Sequence, residues 1–233
     1  MSRSPTLIVF CREPIPGRTK TRLIPRLGGK SAAALADAFI ADTLAKCATL
    51  GPARLVIAAS AAADTRRSPY FRHLAHRCGA EVIDQGGGNL GTRMARALTP
   101  YCRDGAVLLG TDTPTLPSRL LARSVALLRR APVVLAPSLD GGYYLVGARG
   151  ALPDIFHGIR WGGRRVLAQT VARMRRRRVR YALGPGWYDV DRWSDVLLLA
   201  AHLELLHARG DRATPCPATA GVLRRLGLLA DGR

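Results

Sequence analysis

Cysteine, lysine and acidic residues are all scarce in this chain of 233 residues. The five cysteines (Cys11, Cys47, Cys78, Cys102 and Cys216) are scattered, odd in number and never spaced as Cys-x-x-Cys. That pattern argues against a disulfide framework and against a zinc site. His73 and His76 stand near Cys78, but His-x-x-His-x-Cys on a predicted helix reads as surface rather than as a ligand set. No apolar run approaches membrane-spanning length, and the first residues lack a signal-peptide hydrophobic stretch. The expectation is a soluble, cytoplasmic protein with no membrane partner. No repeat or linker divides the chain, and its length suits one large domain with a full core.

Lysine is the most informative scarcity. The formal net charge is +20, yet only Lys20, Lys30 and Lys46 among the 36 basic residues are lysine. A chain that writes arginine wherever it can has kept Lys20 between Arg18 and Arg22. An ammonium is a compact point charge and a guanidinium a wide planar fork, so the retained lysine marks a site that needs the smaller group. The stretch around it runs Phe10-Cys11-Arg12-Glu13-Pro14-Ile15-Pro16-Gly17-Arg18-Thr19-Lys20-Thr21-Arg22 and follows the apolar run 6–10, which reads as a buried strand. Two prolines and a glycine force an irregular loop. A donor-rich loop just past the first strand of an α/β domain is a usual place to hold polyphosphate. Gly17, Arg18, Thr19, Lys20 and Arg22 are therefore candidate phosphate-binding residues.

Apolar runs alternate with helical patches along the rest of the chain. Strands are expected at 53–60, 80–84, 105–110, 133–136, 142–146 and 179–183, with 188–191 closing the sheet region. Helices are expected at 31–50, near 69–78, at 90–98, 117–130 and 164–178, and from a Ser194 cap to about 208. The main domain is taken as 1–209, and 210–233 as a C-terminal tail with a short helix at 222–229. A homodimer contact through the final helix and tail is left open. Strands alternating with helices imply a single α/β domain with a mostly parallel sheet covered on both faces. In such a sheet the binding crevice lies beyond the carboxyl ends of the strands.

Three acidic positions fall where strands should end. Asp112 follows the run 105–110. Asp140 precedes Gly141 and Gly142, where missing side chains let a ligand approach the backbone. Asp189 and Asp191 flank Val190, and a period of two puts both carboxylates on one face of an extended segment. One or two carboxylates completed by phosphates and water are the usual cage for Mg²⁺. Asp112 before Thr113-Pro114 would equally serve to start a turn, and Asp189 to cap one.

These stretches carry a resemblance. The runs 7–10 and 16–23, then Gly110-Thr111-Asp112-Thr113-Pro114, then Asp140-Gly141-Gly142-Tyr143-Tyr144, resemble an uncharacterised bacterial family of the glycosyltransferase-A (GT-A) superfamily. Residues 156–161 and Asp189-Val190-Asp191 fit the same pattern, and the similarity runs from about residue 5 to about 205. Relatives of the family include 2-phospholactate guanylyltransferase and the molybdenum-cofactor guanylyltransferases. The resemblance implies a Rossmann-like GT-A fold with a nucleotide in the crevice, its phosphates near Lys20 and Arg22. It also implies a divalent metal, Mg²⁺ or Mn²⁺, at Asp112 with Asp191 as second ligand and Asp189 as understudy. The segment Gln85–Met94 resembles a second family loop, so Gln85, Gly86, Gly91 and Arg93 are expected near the base or ribose. Asn89 stands where the family usually has Asp, and Trp161–Val166 replaces a Thr-containing helix start.

Two enzymes and one binding module fit these features. A nucleotidylyltransferase would move NMP from an NTP to a small phosphorylated or phosphonate acceptor, with Lys20, Arg22 and Asp112 as the catalytic set. A glycosyltransferase would use an NDP-sugar through an Asp-x-Asp metal site. The single carboxylate in Thr111-Asp112-Thr113 and the cationic loop favour the first. Nucleic-acid binding through Arg173, Arg175–Arg178 and Arg180 lacks the interleaved aromatics of RNA or single-strand binders and is not expected as the main function. Tyr143, Tyr144, Trp161 and Trp187 are candidate walls of an acceptor pocket or parts of the core.

Overall fold

The computed structural model describes residues 4–61, 64–65, 67–210 and 214–230. Seven strands form one sheet: β1 (Thr6–Arg12), β2 (Arg54–Ser60), β3 (Glu81–Asp84), β4 (Ala106–Leu109), β5 (Val133–Pro137), β6 (Tyr143–Ala148) and β7 (Tyr181–Leu183). Their order is β3-β2-β1-β4-β6-β5-β7. β1 pairs in parallel with both β2 and β4, and only β6 runs antiparallel to its neighbours. The chain leaves β1 toward β3 on one side and returns to β4 on the other, so β1 and β4 flank the topological switch point.

Alternation along β1 and β2 sorts their side chains into two cores. Leu7, Val9, Cys11, Leu55, Ile57 and Ala59 face α1 (Ile24–Thr49), α2 (Pro69–Cys78) and α4 (Ser118–Ala126). Ile8, Val56 and Ala58 face α3 (Leu90–Leu98) and α5 (Val166–Arg176). A third cluster joins the outer side of α1 to α6 (Trp193–Ala208) and α7 (Pro217–Arg225). Covered by the sheet on one side and by α6 and α7 on the other, α1 is buried almost all round. That explains its alanines: small side chains let two layers approach one helix. Its buried Asp42 accepts the N–H groups of Ala218 and Thr219 at 3.0 and 2.9 Å, capping α7.

Several boundaries differ from the sequence reading, each for a local reason. α1 begins at Ile24, directly after a short 3-10 turn, Thr21–Leu23, and is kinked within its first turns at Gly28 (φ 74°). The expected helix over 31–50 is the part beyond that kink. Residues 188–191 form no strand; beside them only Trp187 makes an isolated bridge to Ser138. The Val190 N–H goes to the Asp112 carbonyl, and those of Asp191 and Arg192 go to the Asp195 carboxylate. The N-cap of α6 is accordingly Arg192, whose N–H the Asp195 carboxylate accepts, rather than Ser194. α7 starts five residues before the expected helix, and its Ala220, Val222 and Leu223 are buried against α1 and α6. Parts of the expected tail, 211–213 and 231–233, lie outside the described residues.

Candidate nucleotide and metal site

The loop after β1 is folded by its own hydroxyl. Thr19 Oγ1 donates to the Glu13 carbonyl at 3.0 Å and accepts the Ile15 N–H at 3.1 Å. Gly17, at φ 80°, leaves room for Gly29 of α1, where an added Cβ would stand 3.0 Å from the Gly17 nitrogen. The chain then reaches Lys20, which adopts φ 49°, ψ 45°. A left-handed non-glycine residue costs on the order of 1–3 kcal/mol and persists only where its surroundings hold it.

What holds Lys20 is a set of three acceptors. Its Nζ donates to the Val190 carbonyl at 2.6 Å and lies 2.8 Å from both Asp112 Oδ1 and Asp191 Oδ1. Nζ also sits 5.4 Å from the centre of the Phe39 ring. Burial alone would lower the lysine pKa, but the charges and hydrogen bonds of Asp112 and Asp191 outweigh it and hold the ammonium above its ordinary value. Burial would raise the Asp191 carboxyl; Lys20, with help from Arg22 and Arg192, pulls it below the usual range. The three side chains come from the loop after β1, the end of β4 and the turn before α6, tied further by the bond between Val190 and Asp112.

Around this triad lies a cleft of about 550 Å³ at the carboxyl ends of β1 and β4, lined by Phe10–Arg12, Arg18–Arg22, Gln85, Arg93, Gly110–Asp112 and Asp191. Five of these side chains are cations: Arg12, Arg18, Lys20, Arg22 and Arg93. Among the described residues Arg12, Arg18 and Arg93 have no carboxylate within salt-bridge distance, and the exposed Arg22 stands 3.8 Å from Asp191 Oδ2. Arg93 is aimed by Gln85, whose buried amide donates to the Cys11 and Ala58 carbonyls at 2.9 and 2.8 Å while its oxygen accepts from the Arg93 guanidinium. Arg93 also lies over the Phe10 ring, and burial with the nearby Arg12 charge lowers its pKa. Unpaired guanidinium groups held apart in a cleft form a prearranged anion site.

The remaining candidates stand elsewhere. Asp140 Oδ1 accepts the Gly142 N–H at 2.8 Å, closing the turn between β5 and β6. Gly141 sits at φ 92°, where an added Cβ would meet the Arg164 carbonyl oxygen at 2.0 Å. The close approach it permits is therefore to this chain's own backbone. Gly86 faces the Arg96 guanidinium and Gly91 the Trp161 ring, 2.3 and 2.6 Å from an added Cβ, so both serve packing outside the cleft. Asn89 caps α3 through Thr92 N–H at 3.0 Å, a duty Asn and Asp perform about equally. Tyr144, Trp161 and Trp187 are likewise engaged in the fold: Tyr144 donates to the Pro185 carbonyl, Trp161 packs on Phe156, and Trp187 donates to Thr115.

Asp189 parts company with Asp191. Ser138 Oγ lies 2.8 Å from both Asp140 Oδ1 and Asp189 Oδ1. Burial, with the charges of Asp140 and Asp191, raises the Asp189 pKa against the Ser138 hydrogen bond. Ser138, the Val190 carbonyl and Arg12 carried no signal in the sequence. Two of them act through loop geometry, and Arg12 is one arginine among many.

Whether the triad suits a divalent cation turns on its free oxygens. Among the described residues no three His, Cys, Asp or Glu side chains cluster as a metal cage. Lys20 occupies Oδ1 of both aspartates. Oδ2 of Asp112, a side chain 43% exposed, has no partner among the described residues, and Oδ2 of Asp191 has only the distant Arg22. Two carboxylate oxygens open to a cationic cleft fit Mg²⁺ or Mn²⁺ completed by substrate phosphates.

Comparison with known proteins agrees with this architecture. A profile of the family described as "uncharacterized protein conserved in bacteria (DUF2064)" matches residues 43–163. A crystal structure from Desulfovibrio desulfuricans G20, provisionally described as a nucleotide-diphospho-sugar transferase, is 30% identical. It superposes with a TM-score of 0.82 over 97% of this chain and 96% of its own. The 4-diphosphocytidyl-2C-methyl-D-erythritol synthase of Anaerococcus prevotii DSM 20548 (10% identical, TM-score 0.56) covers 88% of this chain and 100% of its own. The inositol-1-phosphate CTP transferase of T. maritima (12%, 0.54) covers 84% and 92%. These last two speak to fold alone, the α/β fold of nucleotidyl- and nucleotide-sugar transferases. No curated protein matches the sequence.

Proposed function

We propose, from the premise that this chain belongs to the DUF2064 family, that it is a metal-dependent nucleotidylyltransferase. It would transfer NMP from an NTP to a small phosphorylated or phosphonate acceptor. The observation that carries this reading is the cleft at the β1/β4 switch point, with five cations and two carboxylates on its walls. A triphosphate carries more negative charge than the diphosphate of a nucleotide sugar and makes fuller use of that many cations. The reduced, free cysteines and the need for NTP fit a cytoplasmic location, and among the described residues no helix is long and apolar enough to cross a membrane.

In the reaction an acceptor oxygen bonds to the α-phosphorus. The bond from that phosphorus to the α,β-bridging oxygen breaks, and its electron pair leaves with pyrophosphate. A phosphate or phosphonate acceptor is already largely ionised near neutral pH, so the step needs little from a general base. Arg12, Arg18 and Arg93 would bind the β- and γ-phosphates and stabilise charge gathering on the leaving group. Arg22, at the edge of the cleft, would meet the acceptor side. Lys20 holds Asp112 and Asp191 by one oxygen each, so their other oxygens are presented in fixed directions. A divalent ion on those oxygens would supply neutralisation of the reacting phosphates.

The test is incubation of the protein with each NTP, Mg²⁺ and candidate phosphorylated acceptors, scored by pyrophosphate release. Asp112→Ala and Lys20→Ala are each expected to reduce turnover by a factor on the order of 10² or more while circular dichroism stays native. Near-full activity of either variant would sink the assignment of residues. The glycosyl-transfer reading is favoured by one observation, the description of the D. desulfuricans relative. Release of NDP from an NDP-sugar, with no pyrophosphate from any NTP, would establish that reading instead.

A further inference from the structure

A second cleft of about 430 Å³ opens beside the first and shares Arg22 and Asp191 with it. Its walls are the 139–140 turn, residues 162–164, residues 188–192 and the start of α6. Four carboxylates line it, and each gives at least one oxygen to a partner within the chain. Asp191 holds Lys20, Asp195 caps α6, and Asp140 and Asp189 share the Ser138 hydroxyl, Asp140 also taking the Gly142 N–H. The cations are not spent. Arg164 and Arg192 have no carboxylate within salt-bridge distance among the described residues, and Arg22 has only Asp191, at 3.8 Å.

On the same walls stand Leu139, 72% exposed, and Leu198, 51% exposed. They come from different elements, a tight turn and a helix, and line one cavity. An exposed leucine alone means nothing. Two of them beside unpaired guanidinium groups, in a cleft continuous with the phosphate site, describe a ligand with a charged end and an apolar end.

We infer that this second cleft is the acceptor subsite and that its acceptor is a small amphipathic oxoanion. The phosphate or phosphonate group lies among Arg22, Arg164 and Arg192, at the junction where it can reach the α-phosphorus. A hydrocarbon portion of a few carbons lies on Leu139 and Leu198. The inference rests on the nucleotidyl-transfer reading and narrows its acceptor.

The experiment is calorimetric titration of the full chain with inorganic phosphate and with methyl-, butyl- and hexylphosphonate, in the presence and absence of a saturating NTP. Affinity is expected to rise with chain length, by up to about fourfold per buried methylene, whether or not NTP is bound. The double substitution Leu139→Ser/Leu198→Ser should flatten that series while inorganic phosphate binds within about twofold of its original affinity. Arg164→Ala/Arg192→Ala should weaken every member roughly tenfold. A flat series in the original protein, or a slope that survives the serine substitutions, overturns the inference. So does loss of phosphonate binding when NTP is present, which would put the probes in the first cleft. A change from dimer to monomer in the serine variant, read by sedimentation, would assign the leucines to a second copy of the chain and overturn it as well. NTP binding with a flat phosphonate series rejects the acceptor inference alone, whereas no binding of any NTP rejects the parent reading.

Discussion

Lys20 engages all three ammonium protons inside the protein, with the Val190 carbonyl and one oxygen of each aspartate. In this arrangement none is left for a phosphate, so the lysine fastens the carboxylates and the arginines do the anion binding. This gives a physical sense to its scarcity, since a guanidinium is too wide to meet three acceptors converging on one point. Lys20→Met is expected to cost about 1–3 kcal/mol in urea unfolding. That is less than the 3–5 kcal/mol for breaking a fully buried pair, because both aspartates reach solvent. The pH dependence follows from the shifts. Asp191 has its pKa depressed in the fold, so its contribution is present above the unfolded value near 3.9 and is lost as pH falls through the lower folded value. Lys20 has its pKa raised, so its contribution is complete below about 10.4 and is lost as pH rises through the higher folded value. The gap between original and variant should therefore be flat from pH 5 to 9 and close at both extremes. A gap that narrows near pH 7 would contradict the triad.

At the scale of elements, the turn at Asp140-Gly141-Gly142 is a joint between segments of the chain. Two substitutions separate its steric from its conformational demand. Gly141→Ala puts a Cβ 2.0 Å from the Arg164 carbonyl at a positive φ, whereas Gly162→Ala, at φ 82°, meets nothing within 4 Å. Gly162→Ala is expected to cost about 1 kcal/mol, the left-handed penalty alone. Gly141→Ala should cost roughly 3 kcal/mol or more, because backbone must move. Equal losses in denaturant midpoint would refute the close approach. The same joint shows what a sequence can disclose. The strands 6–10, 53–60 and 105–110 and the helix 90–98 were legible because apolar runs and glycine or proline punctuation are local signals. The glycine pair was legible as a place of close approach, but what approaches comes from residue 164, and no local pattern carries that. Residues 188–191 looked like a strand for the same reason. Their alternation is real, yet the N–H groups of Val190 and Asp191 are taken by Asp112 and Asp195. Lys20 and Asp112 could be singled out from scarcity and strand-end position; Ser138 and the second cleft arise only when separate loops meet.

For the whole molecule, a net charge of +20 acts in two opposite directions. Like charges spread over the surface repel and oppose the compact state, while the same charges favour phosphate binding. Most of the arginine run belongs to the first effect. Arg173 and Arg177 are tied to Asp154, and Arg175, Arg176, Arg178 and Arg180 are exposed and line neither cleft. The cleft arginines belong to the second. Raising NaCl from about 0.02 to 0.3 M shortens the screening length from roughly 20 to 6 Å. The melting temperature should then rise by a few degrees as self-repulsion is screened, while NTP affinity falls by about threefold to tenfold. Replacing Arg175, Arg176, Arg178 and Arg180 by Gln should flatten the first trend and leave the second untouched, read by scanning calorimetry and titration over one salt series. If the substitutions weakened NTP binding instead, the charge would act as one long-range field. If they abolished a steeply salt-dependent affinity for duplex DNA, the run would be a nucleic-acid surface. Independence of the two trends is what the geometry requires, because the run closes the far end of α5 and lines neither cleft.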